Sequence, residues 1–81
     1  MNWLDKEREL EQDVIARNLY RAVETVQHLG QVASVCVHLC GNFPDDPQYP
    51  ARLNRTAREA GRHYALAQFW YDQAQALRKE N

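Results

Sequence analysis

The residues with the most versatile chemistry in this chain are two cysteines, Cys36 and Cys40, and three histidines, His28, His38 and His63. Thiolate sulfur and imidazole nitrogen are the ligands zinc prefers, and a thiolate beside an imidazole is the pair that nucleophilic catalysis uses. Cys36 and Cys40 share a helix face, His28 lies two turns upstream, and His63 on a second helix reaches toward the same level. The spacing argues against both chemistries. There is no CxxC or HxxxH pair, and both cysteines fall on an apolar seam where small residues belong, so the expectation is two buried structural thiols. Four residues apart on one helix, they are poorly disposed to bridge each other. His38 is near both in sequence but points elsewhere on a helix, and no third group suggests itself to orient it. Neither a glycine-rich phosphate loop nor a nucleophile elbow occurs. The reading is therefore no catalytic residue, no metal ligand, no cofactor and no enzyme. A small-molecule substrate is not expected either, because a helical hairpin has no interior in which to desolvate one.

Two other groups of side chains point to binding. Arg52, Arg55, Arg58 and Arg62 occupy one broad face at the start of the second helix. Cations there oppose the helix dipole at a small cost. The row reads as a contact for an acidic partner or phosphates, or as a solvated face partly neutralised by Glu59. Tyr64, Phe69, Trp70 and Tyr71 span all sides of two turns, with Tyr64 and Tyr71 placed on the seam and Phe69 and Trp70 off it. Phe69 and Trp70 either cap the hairpin core or anchor an interface, as buried aromatics often do.

The elements that must position these groups are two long helices. Ile15, Leu19, Ala22, Val26, Leu29, Ala33, Cys36 and Cys40 alternate in steps of four and three, and Leu53, Ala57, Ala60, Tyr64, Ala67, Tyr71 and Ala74 do the same. Each series predicts the seam of an amphipathic helix. Gly41-Asn42-Phe43-Pro44-Asp45-Asp46-Pro47-Gln48-Tyr49-Pro50 separates them and lets the chain turn back. Helix one is expected over about residues 3–40, with Asn2 as N-cap and Gly41 and Asn42 as C-terminal caps. Gly30 costs it roughly 1 kcal/mol against alanine and marks either a bend in one helix or a corner between two. Helix two is expected over about residues 50–78, starting at Asp46-Pro47 or at Pro50, with a loop over 41–49.

Antiparallel pairing about that loop sets residues whose numbers sum to the low nineties opposite each other, which puts Tyr64 near His28 and Tyr71 near Tyr20. Helix two then stops short of the first turns of helix one, so Trp3, Leu4 and Leu10 overhang. Further apolar rows (Val14, Val23, Val32, Val35, Val37 and Leu39; Leu66, Phe69, Trp70 and Leu77) exceed what one hairpin can bury against itself. That surplus argues for a partner. So does size, because 81 residues in two helices make a small core that normally needs a staple or a partner.

The formal net charge of −1 supplies no field to attract nucleic acid, which is not an expected partner. Charge is nevertheless unevenly spread: Asp5, Glu7, Glu9, Glu11 and Asp13 make the first turns acidic, opposite in sign to the arginine row. No apolar run approaches the ~20 residues of a membrane span. The start, Met1 to Glu7, lacks the basic and apolar regions of a signal peptide. The expectation is a cytoplasmic protein that does not insert into membranes.

Asp46, Pro47, Gln48 and Tyr49, followed by Asn54, Glu59, Ala60 and Tyr71, resemble the needle-subunit co-chaperones of bacterial type III secretion. These are small two-helix proteins that act with a helical-repeat chaperone to keep the needle subunit soluble in the cytoplasm. Needle subunits are themselves hairpins with a proline-aspartate-proline turn, similar to Pro44-Asp45-Asp46-Pro47 here. The resemblance covers roughly the C-terminal half. The sequence reading is thus an all-α, coiled-coil-like antiparallel hairpin forming a single domain, completed by dimerisation or by a helical partner. Its expected task is protein–protein contact through Trp3, Leu4, Phe69, Trp70, Arg52, Arg55, Arg58 and Arg62. The resemblance implies a secretion co-chaperone. The alternative is a homodimeric four-helix-bundle regulator, or a phage-type inhibitor, that uses the arginine face.

Overall fold

The structure is a computed structural model that describes residues 3–79, apart from the side chain of Trp3, which lies outside the described residues together with Met1, Asn2, Glu80 and Asn81. It is an all-α hairpin of two helices, α1 (Trp3–Asn42) and α2 (Gln48–Lys79), with no strand among the described residues. At ~1.5 Å per residue the 40 residues of α1 make a rod of about 60 Å, close to the 64 Å length of the molecule, which is only 16 × 13 Å in cross-section. The helix passes through Gly30 without interruption. An added Cβ there would meet nothing within 4 Å, so no close approach within the hairpin demands this glycine.

Both inner helix ends lie nearer the turn than the sequence suggested, leaving a loop of only 43–47. Gly41 does not act as a left-handed cap, since no described glycine has positive φ. α1 runs through Asn42, and Phe43 N–H still reaches the Leu39 carbonyl at 2.9 Å. Pro44 then stops it, because the residue before a proline is pushed out of the helical region. A turn follows in which Asp46 N–H bonds to the Phe43 carbonyl at 3.2 Å. Asp46 caps α2: its Oδ1 accepts from the Gln48 backbone N–H and its Oδ2 from Gln48 Nε2, both at 3.1 Å. Pro47 and Pro50 sit at the helix start, where a missing N–H removes little. The Phe43 and Tyr49 rings, with centroids 5.8 Å apart, tie the two sides of the turn together.

The seam of α1 is the expected one. Ile15, Ala22 and Cys36 are buried, while Leu19, Val26, Leu29, Ala33 and Cys40 are half-buried. The seam of α2 is not. Leu53, Ala60, Ala67 and Ala74 face α1 as expected, but the alternate row is Thr56, His63, Trp70 and Leu77, whereas Ala57, Tyr64 and Tyr71 are exposed. α2 is therefore turned by about 50°, half the 100° step per residue of an α-helix. The chosen row starts at half-buried Tyr49 and ends at Leu77, buried over Ile15, while the rejected row would place Arg78 in the seam. It also leaves both phenol hydroxyls in water. Thr56 tolerates burial because its hydroxyl donates to the Arg52 carbonyl at 2.9 Å.

The antiparallel register is as expected. Ile15 lines a cleft with Leu77, Ala22 one with Trp70, and Cys36 one with Thr56, so facing numbers sum to the low nineties. Trp70 and His63 thus take the places predicted for Tyr71 and Tyr64. No described side chain is fully enclosed. A compact 9.5 kDa monomer exposes about 5,000 Å², whereas this hairpin exposes 6554 Å². Its radius of gyration, 18.4 Å, likewise exceeds the about 12 Å of a globular domain of this length.

Candidate interaction site

Because each helix has a single neighbour, the hairpin has two long flat sides. On one, Leu19 and Val23 of α1 and Tyr64, Ala67, Gln68 and Tyr71 of α2 line a shallow groove. On the other, nearer the turn, Val32, Val35 and Leu39 of α1 lie beside Arg52, Arg55 and Glu59 of α2, with Cys36 and Thr56 at the floor. Toward the open end this second side continues through Arg21, Thr25, His63, Leu66 and Trp70. We refer to the tyrosine side and the arginine side.

The expected contact residues fall as follows. Leu4 is 66% exposed near the start of α1, beyond the level at which Leu77 meets Ile15, and Leu10 is also exposed there. The side chain of Trp3 lies outside the described residues. Phe69 is 50% exposed. Its ring meets Trp70 edge-on, centroids 5.0 Å apart at 77°. Trp70 is half-buried and forms part of the internal seam, whereas periodicity placed it off the seam. Arg52 and Arg55 border the apolar cleft of the arginine side. Arg62 is exposed, with Nη1 3.8 Å from Glu59 Oε1. Arg58 is exposed and lies three residues on from Arg55, about 60° around the helix from it. Such exposed pairs contribute at most about 1 kcal/mol, so the row presents positive charge rather than locking the fold.

The structure separates the groups that could have been a metal site. Cys36 is 3% exposed at the level of Thr56, and His63 is seven residues further along α2, about 10 Å down the axis. His28 is exposed. His63 Nε2 instead lies 4.0 Å from Glu59 Oε2 on its own helix. Among the described residues no three His, Cys, Asp or Glu side chains gather closely enough to hold a metal ion. No described helix is long and apolar enough to cross a membrane.

Reading the sequence by itself missed the tyrosine side as a surface, because Ala57, Tyr64 and Tyr71 were assigned to the core while Val23 and Val37 were counted among the surplus apolar rows. A signal was present: α1 carries a second series, Ala16, Val23, Gly30 and Val37, flanking its seam and free of charge. Comparison with protein-family models, with curated proteins and with solved structures finds no match to this chain.

Proposed function

We propose that the hairpin is a non-enzymatic protein–protein interaction module, in its most concrete form a cytoplasmic secretion co-chaperone that binds a helical partner. The observation that carries this is the surface excess: about 1,500 Å² more than a compact monomer of this mass exposes, with large apolar side chains such as Leu4, Val35, Leu66 and Phe69 distributed along it. A partner helix laid along the arginine side would cover Val35, Leu39, Leu66 and Phe69 while its acidic groups meet Arg52 and Arg55. The resemblance of Asp46-Pro47-Gln48-Tyr49, Asn54, Glu59, Ala60 and Tyr71 to needle-subunit co-chaperones supplies the candidate partners: a needle subunit and its helical-repeat chaperone.

The test is co-expression with that pair, followed by sizing of the soluble fraction. A ternary complex that keeps the needle subunit in solution supports the reading. Phe69→Ala should then weaken assembly on the order of tenfold or more, as interface aromatics do, and it disturbs the seam less than Trp70→Ala would. An insoluble needle subunit, with the hairpin eluting by itself, removes the secretion role.

A further inference from the structure

We propose that the tyrosine side is a self-association surface, and that a second copy of this chain covers it end over end to complete a four-helix bundle. This goes beyond the function proposed above and uses the opposite side of the hairpin. The patch consists of Ala16, Val23, Gly30 and Val37 on α1 and Ala57, Tyr64 and Tyr71 on α2, all exposed and all uncharged. It is joined to the hairpin seam through Leu19 and Ala67.

Three observations select a second copy as the occupant. First, the two rows are centred at nearly the same level of the hairpin. The α1 row is centred between Val26 and Gln27 and the α2 row at Tyr64; in the observed register these centres lie within about two residues, or about 2 Å, of one level. A two-fold axis near that level carries each row close to itself reversed. It sets Ala16 against Val37, Val23 against Gly30 and Tyr71 against Ala57, a large residue over a small one each time, with Tyr64 beside its counterpart. Gly30 thereby gains the use that the isolated hairpin does not give it, since nothing approaches within 4 Å of its Cβ position.

Second, the area fits. The α1 row runs over the 22 residues from Ala16 to Val37, about 32 Å, across the 16 Å width of the hairpin. With its surface relief this footprint approaches the about 800 Å² per partner of a standard interface, and covering it removes roughly half of the surface excess.

Third, charge favours this orientation. Asp5, Glu7, Glu9, Glu11 and Asp13 crowd one end of α1. Packing with both loops at the same end sets the two acidic segments side by side, whereas the end-over-end arrangement places them at opposite ends of the bundle. The arginine side remains free in the dimer.

Light scattering on a sizing column, across a dilution series of the full chain, reads the outcome. The expected result is a particle of twice the 9.5 kDa chain mass that dissociates on dilution. Val37→Glu, on the tyrosine side, should yield a monomer that keeps its helical circular dichroism. Val35→Glu, equally exposed but on the arginine side, should leave the dimer intact. For orientation, spin labels at Leu10→Cys in a C36A/C40A background should lie about 50 Å apart end over end and less than about 25 Å apart with the loops together. A monomer at every concentration, a dimer broken by Val35→Glu and not by Val37→Glu, or the short label distance overturns the proposal. A monomer that still forms the needle-subunit complex overturns the self-association alone. A dimer that binds no needle subunit overturns the secretion role and leaves self-association standing.

Discussion

Replacing Leu77 by alanine is the sharpest test of how α2 is turned against α1. Leu77 is 7% exposed and lines the open-end cleft with Ile15, Leu19 and Ala74. The substitution removes three carbons, each worth about 0.8 kcal/mol when buried, or about 2 kcal/mol in all. The additional cost of a cavity in a closed core should be small here, because the cleft opens to solvent and can collapse. Leu66→Ala is the control: the chemistry and helix are the same, but the side chain is 46% exposed, so about 1 kcal/mol is expected. The small difference in helix propensity between leucine and alanine cancels between the two variants. Urea unfolding followed by circular dichroism at one fixed protein concentration gives both values from the midpoints, provided the slopes agree. If α2 instead presented the Ala57, Tyr64 and Tyr71 row to α1, Leu77 would swing toward solvent and its loss would fall well below about 2 kcal/mol. Equal losses, or a larger loss at Leu66, refute the seam described here.

Two further outcomes follow from the turn and the thiols. Asp46→Ala removes the acceptor for the Gln48 N–H and should cost about 1 kcal/mol of stability, read by the same urea titration, with Asp46→Asn retaining most of it. Cys36, 3% exposed, should react with a thiol reagent only as fast as the hairpin opens; labelling of the folded chain followed by peptide mass mapping checks this, and rapid modification of Cys36 under native conditions contradicts its burial.

Much of this architecture is legible without coordinates. The seam of α1 is legible because its two rows, Ile15–Ala22–Leu29–Cys36 and Leu19–Val26–Ala33–Cys40, hold no charged residue over their whole length. The turn announces itself through three prolines and two aspartates within seven residues, and the length of the helices on either side fixes the register once the chain reverses. What periodicity could not decide is the phase of α2. Leu53, Ala60, Ala67 and Ala74 combine equally well with the residues four positions on (Ala57, Tyr64, Tyr71) or three positions on (Thr56, His63, Trp70, Leu77), since both series obey a heptad spacing.

The sequence by itself therefore determined the two helices, their reversal and which residues stand level with one another, because these depend on local propensity and on repeat length. Only the tertiary structure decided which side of α2 meets α1, because that choice weighs the burial of Trp70 and Leu77, with the self-satisfied hydroxyl of Thr56, against a row that would take two phenol hydroxyls out of water and bring Arg78 into the seam. That rotation turns Tyr64 and Tyr71 from expected core into surface, and it decides which face of the hairpin is left to be covered.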